Sequence, residues 1–226
     1  IKVPTMAEVT QVSFSEQLRQ EAGTAWDEVA RHRFTDELAA GTVERAVMAK
    51  YAVQDHRFLD AFVVLLASMV AAARSLDDRI PGCQFLALIT GRENTYFVRT
   101  FEALRISEED RRTTPPTEAQ AKLESIMRDA VASGSLSEIL AVLVVCEWTY
   151  QSWGERVQVE TGVPFYCQEW VDLHRGPYFG SVVDYLRGLL DREAAGLNTD
   201  EKAKVRARFM ATLAVEKEFF DSCYEK

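Results

Sequence analysis

The chain has 226 residues, 47% hydrophobic and 27% charged, which excludes disordered and collagen-like classes and allows a substantial core. A formal charge of -9, from 35 acidic and 26 basic residues, opposes a phosphate backbone, so no nucleic-acid partner is expected. Four scattered cysteines (Cys83, Cys146, Cys167 and Cys223) form no C-x-x-C pair, and neither a metal nor a cofactor is inferred from them.

Taken in chain order, the N-terminus has no charged region followed by an apolar signal core, which reads as a reducing, cytoplasmic setting. Strand signals are almost absent and helical periodicity runs throughout, so the fold class is all-α. Helices are expected at about 13–39, 42–74, 80–104, 117–132, 135–160, 165–174, 178–193 and 198–224. No linker or repeat interrupts them, so residues 1–226 read as a single-domain helical bundle of about seven or eight helices.

The breaks between helices have local causes. Gly41 is a helix stop, and Pro115-Pro116 cannot continue the helix before it. Ser135 with Glu138 predicts a capping box, and Asn198 a cap for the last helix. Gly162-Val163-Pro164, Gly176-Pro177 and Gly196 separate the final segments. The apolar stretch from Ala61 to Ala73 is shorter than the about 20 residues needed to span a bilayer. It reads as a buried helix whose Ala and Ser content suits close helix contacts, such as those of a subunit interface.

Three acidic or sulfur-bearing residues interrupt apolar helix faces. Asp55 shares its face with Tyr51, Phe58 and Phe62, and a buried carboxylate must be hydrogen-bonded, paired or used by a ligand. Cys146 shares a stripe with Val142, Tyr150 and Trp153, as a core cysteine or as a nucleophile. Glu147 is offset from it by about 100°, facing solvent or supplying another buried acid. Glu216 sits among Leu213, Phe219, Phe220 and Cys223, while Glu218 points away and reads as solvated. Convergence of Asp55, Cys146 and Glu216 in one pocket would explain all three.

The run Tyr51-Ala-Val-Gln54-Asp55-x-x-Phe58 resembles the second-helix signature of the TenA (thiaminase II) family. Cys146-x-x-x-Tyr150 resembles its nucleophile helix. Phe165-Tyr166-Cys167-Gln168-Glu169-Trp170 resembles its Tyr-x-x-Trp segment, and Glu216-x-x-Phe219-Phe220-Asp221 its C-terminal motif. The resemblance spans about residue 13 to Tyr224. It implies a haem-oxygenase-like fold, a homotetramer, and hydrolysis of aminopyrimidines from thiamin breakdown, with thiamin cleavage in some members.

Carried over to this chain, the resemblance makes Asp55 a ligand of the pyrimidine amine and ring nitrogen, and Cys146 the nucleophile. Glu216 would bind the ring edge and move protons, while Phe58, Tyr150 and Phe219 enclose the ring and Tyr51 belongs to the same signature. Two positions depart from the family pattern: His174 stands where a Tyr is usual, and no Tyr occurs from Lys122 to Asp129. His174 is either a proton carrier or a hydrogen-bonded residue beside a turn.

A second subclass lacks the cysteine and uses two glutamates on formylated or free aminopyrimidine, a role open to Glu147 with Glu216. Glu93 and Tyr96 line or support the pocket, unless Glu93 pairs with an Arg. Rival readings are a non-catalytic pyrimidine-binding regulator and a haem or di-iron oxygenase. The latter lacks any Glu-x-x-His pair, though His32 or His56, both read as solvated, remains a formal haem ligand.

Overall fold

The computed structural model describes residues 12–225; residues 1–11 and 226 of the expected 1–226 domain lie outside the described residues. Among the described residues every regular element is helical. In chain order these are α1 (Phe14–Ala22), α2 (Thr24–Ala30), α3 (Arg33–Ala40), α4 (Arg45–Ala72) and α5 (Leu76–Leu88). A π-helical turn (Ile89–Glu93) leads into α6 (Asn94–Leu104), followed by α7 (Glu108–Thr113), α8 (Glu118–Ala132) and α9 (Leu136–Arg156). The last three are α10 (Phe165–Leu173), α11 (Gly176–Ala194) and α12 (Thr199–Ser222).

The all-α expectation holds, with more breaks than periodicity disclosed. The helix expected at 13–39 is three helices. Gly23 (φ +54°) divides the first two, and an extended His32 opens the third by accepting the Phe34 N–H on its ring Nδ1. The helix expected at 80–104 begins earlier, capped by Ser75, and is interrupted by the π turn. α7, which periodicity missed, is opened by a Ser107–Asp110 capping box. The capping box expected at Ser135 is half present: Ser135 caps the Glu138 N–H, but the Glu138 carboxylate is 2.7 Å from Arg208 instead. Asn198 does form a full capping box, with Glu201, and Gly41 ends α3 in the left-handed conformation.

α9 is buried around its whole circumference from Ile139 to Tyr150. A helix apolar on every side belongs in the centre of a fold, and α9 packs against α2, α4, α8, α11 and α12. Those contacts bring α4 and α12, the carriers of Asp55 and Glu216, to the Cys146 helix. The reading of Ala61–Ala73 as a buried helix needs correction. Phe62, Leu65, Leu66 and Met69 face the core, but Val64 is 55% exposed, because α4 lies at the edge of the array and covers only one side. No helix among the described residues is long and apolar enough to cross a membrane.

Candidate active site

One cavity collects most of the expected site residues. It is lined by Asp55, Phe58, Leu59 and Phe62 from α4, by Ile89 and Glu93 from the π turn, and by Cys146, Glu147 and Tyr150 from α9. Trp170 and His174 from α10 complete it. Its volume is about 30 Å³, room for one water. A larger ligand therefore requires lining side chains to move, and the half-buried Phe58 and Glu93 are the freest of them. A groove of about 330 Å³ on the outer side shares Leu59 and Ile89 with the cavity.

Cys146 and Glu147 both reach the cavity, which settles neither of their readings in favour of the other. Glu216 does not line the cavity; it is only 2% exposed, and its carboxyl and the Cys146 thiol influence each other's protonation. Burial pushes the Glu216 carboxyl up to about 7, with Cys146 partly offsetting the rise. The Cys146 thiol is held well above its ordinary range, first by burial and then by the Glu216 and Glu147 charges. It rests as a thiol, and becomes a nucleophile only by passing its proton to an acceptor. Asp55 is also pushed well up by burial, and then by Glu93; Tyr51 opposes this, and Glu216 adds to it. A protonated carboxyl offers one O–H donor and one acceptor oxygen side by side.

Tyr51 and Phe219 do not line the cavity. The Tyr51 hydroxyl accepts the Trp170 Nε1–H at 3.0 Å and lies 3.0 Å from the Tyr150 hydroxyl, tying two walls together from behind. Phe219 packs edge-on to Tyr51 at 5.8 Å. Both are supports of the aromatic wall. Phe58 stacks on Phe62 at 5.0 Å. Tyr96, also a support, stacks on Trp170 at 4.7 Å and donates its hydroxyl to the Tyr166 carbonyl.

His174 ends α10, with Nδ1 2.8 Å from the Trp170 carbonyl oxygen. A carbonyl only accepts, so Nδ1 carries the proton and Nε2 is left as an acceptor. Burial lowers its pKa to about 4, so the ring is neutral near pH 7. It is a fixed hydrogen-bond acceptor in place of the Tyr common in the resembling family. Gly154 lets α9 approach this turn, because a Cβ there would collide with the His174 backbone carbonyl.

The solvated readings of two histidines need correction. His32 is buried, bonded at Nε2 to Asp221 at 3.1 Å and stacked on Phe220, so both ring nitrogens already have protein partners. His56 is half-buried against Phe97 and Phe101 and bonded to Asn94. Glu218 is exposed and pairs with Lys122, as its position implied. Sequence reasoning did not name Ile89, Leu59 or Trp170 as cavity walls. Trp170 lay inside a recognised motif, but the π turn that aims Ile89 inward has no periodic signature.

An array of helices closing around carboxylates, a thiol and aromatic rings defines an all-α protein built to hold a small molecule in its interior. Solved structures share that architecture. A domain with a heme oxygenase-like fold from Shewanella denitrificans matches with a TM-score of 0.65 at 15% identity, over 97% of this chain and 93% of its own. A TenA homologue from Pyrococcus furiosus matches with a TM-score of 0.83 at 23% identity, over 93% of this chain and 100% of its own. A relative from Halalkalibacterium halodurans named aminopyrimidine aminohydrolase is 27% identical over 95% of this chain and 97% of its own length. Residues 19–226 match the TENA/THI-4/PQQC family, and the chain belongs to that family.

Proposed function

We propose that this chain is a thiamin-salvage hydrolase that replaces the side-arm amine of an aminopyrimidine with water. Its substrate on this reading is 4-amino-5-aminomethyl-2-methylpyrimidine, and the products are ammonia and the hydroxymethyl pyrimidine. The observation that carries it is Asp55 and Cys146 lining one aromatic-walled cavity, with the buried Glu216 carboxyl acting on the thiol. The name of the Halalkalibacterium halodurans relative supports the same chemistry.

In this reading Asp55, whose carboxyl burial pushes well up, donates in its protonated form to a ring nitrogen and accepts from the adjacent exocyclic amine. Cys146 gives its proton to Glu216 as its sulfur bonds to an electron-poor ring carbon. The electron pair displaced into the ring expels the side-arm ammonium as ammonia, which later takes the proton of the attacking water, while Glu216 keeps the thiol's proton. Water then adds to the exocyclic methylene, and the ring pair expels sulfur, which recovers a proton through Glu216. Phe58, Tyr150 and Trp170 would hold the flat ring.

A second reading is favoured by one observation: Glu147 also reaches the cavity. There Glu147 and Glu216 would act as an acid and base pair without sulfur chemistry, on the N-formyl aminopyrimidine. The test is turnover of the aminomethyl pyrimidine, its N-formyl analogue and thiamin, with ammonia and pyrimidine products measured. Cys146→Ala and Glu216→Gln should each lower turnover of the aminomethyl compound at least about 10²-fold. Full activity of Cys146→Ala would exclude the thiolate route. We further read residues 12–225 as one domain around one core, the assembly as a homotetramer checked by light scattering, and the setting as cytoplasmic, consistent with four unpaired cysteines.

A further inference from the structure

Asp55 and Glu216 have tasks in the reaction above, but two further carboxylates line the cavity without one. Glu147 is only 9% exposed and has no hydrogen bond or ion pair with another described residue. Glu93, on the π turn, lines the cavity from the opposite chain segment and has no Arg or Lys partner among the described residues. The ion pair allowed for Glu93 in the sequence is therefore not made. Burial pushes the Glu147 carboxyl well up, and Glu93 on the same cavity adds to it, so the two acids do not readily ionise together.

Ionising either acid in this setting is costly, and ionising both is costlier still unless a cation comes between them. No group of three or more His, Cys, Asp or Glu side chains among the described residues is placed to hold a metal ion. Phe58 and Trp170 line the same cavity, and aromatic rings suit an organic ammonium. His174 stays neutral and adds no opposing charge.

Resting on the function proposed above, we infer that Glu93 and Glu147 form a cation-selecting pair that receives the protonated side-arm amine of the pyrimidine. They distinguish a substrate whose arm ends in an ammonium from analogues with a neutral arm, including the N-formyl compound and the hydroxymethyl product. Burial holds Glu93 at about 8, close enough to neutrality for an arriving cation to ionise it. The product, having lost its charge, loses this contact and leaves.

The test is the ratio of affinities for the aminomethyl and hydroxymethyl pyrimidines, measured by calorimetry in the Cys146→Ala background, where turnover is blocked. The amine should bind more tightly. Adding Glu93→Gln or Glu147→Gln should cut that preference about tenfold, and Glu93→Asp should restore part of it. If a double variant unfolds by circular dichroism, the same ratio comes from KM for the amine and the inhibition constant of the hydroxymethyl product in single variants. Binding of both compounds with a ratio unmoved by either Gln substitution overturns the cation pair and leaves the hydrolase reading standing. Binding of neither compound to the Cys146→Ala protein overturns both.

Discussion

Gly154 lies so close to the backbone carbonyl of His174 that a β-carbon there would overlap its oxygen. Because the obstacle is backbone, it cannot swing aside as a side chain would. Gly154→Ala must push α9 away from the α10 terminus, and should cost about 1–3 kcal/mol of stability. The same shift displaces His174 and should weaken pyrimidine binding. Urea unfolding and ligand titration check this; an unchanged midpoint together with unchanged affinity would contradict it.

Tyr51→Phe keeps the ring and removes the hydroxyl that bonds Trp170 Nε1 and contacts Tyr150. The indole N–H is then left buried without its acceptor. A destabilisation of about 1–3 kcal/mol is expected from denaturant unfolding. Turnover should fall as well, because Trp170 and Tyr150 lose their common anchor. A variant as stable and active as the parent would show that the hydroxyl bridge contributes nothing.

Glu216 must begin the reaction ionised to accept the Cys146 proton. With its carboxyl at about 7, kcat/KM for the aminomethyl pyrimidine should fall as pH drops through that value. Glu216→Gln should abolish the acid limb along with most activity. Residual activity of that variant retaining the same limb would assign the titration to another group, of which Asp55, Glu93 and Glu147 are the nearest candidates.

Glu93 offers a stability test independent of substrate. Burial raises its carboxyl from 4.5 to about 8, so the folded chain binds more protons at this position than the unfolded chain across that window. Stability from this group is complete below about 4.5 and is lost progressively as pH rises through about 8. Glu93→Gln removes the titration, so its Tm relative to the parent should rise between pH 5 and pH 8. A Tm difference independent of pH would mean that Glu93 is not desolvated in solution.

The legible part of this protein lay in its long helices. Asp55, Cys146 and Glu216 each break an apolar stripe of a helix longer than five turns, and the central packing of α9 against α4 and α12 turns that pattern into proximity. Depth along the same faces was not legible. Tyr51 and Phe219 share the stripes of site residues yet stand one layer behind the cavity, because a helical wheel gives direction but not distance from a neighbour. His32 was misread as solvated because its carboxylate partner, Asp221, lies at the far end of the chain. The three-way division of 13–39 depended on a glycine conformation and a histidine cap, neither of which alters hydrophobic periodicity.

The π turn at Ile89–Glu93 gives the cavity an evolutionary hinge of an unusual kind. A π turn accommodates one residue more than an α-helix in the same span. Deleting a single residue there would restore the ordinary hydrogen-bond ladder and change which side chains of the turn face the cavity, while Tyr96 keeps its place against Trp170. The acid's place at the cavity would then be open to another residue while the flanking helices kept their partners. In descendants of this fold, gain or loss of that charge is thus a matter of counting residues, and comparison of letters at aligned columns would overlook it.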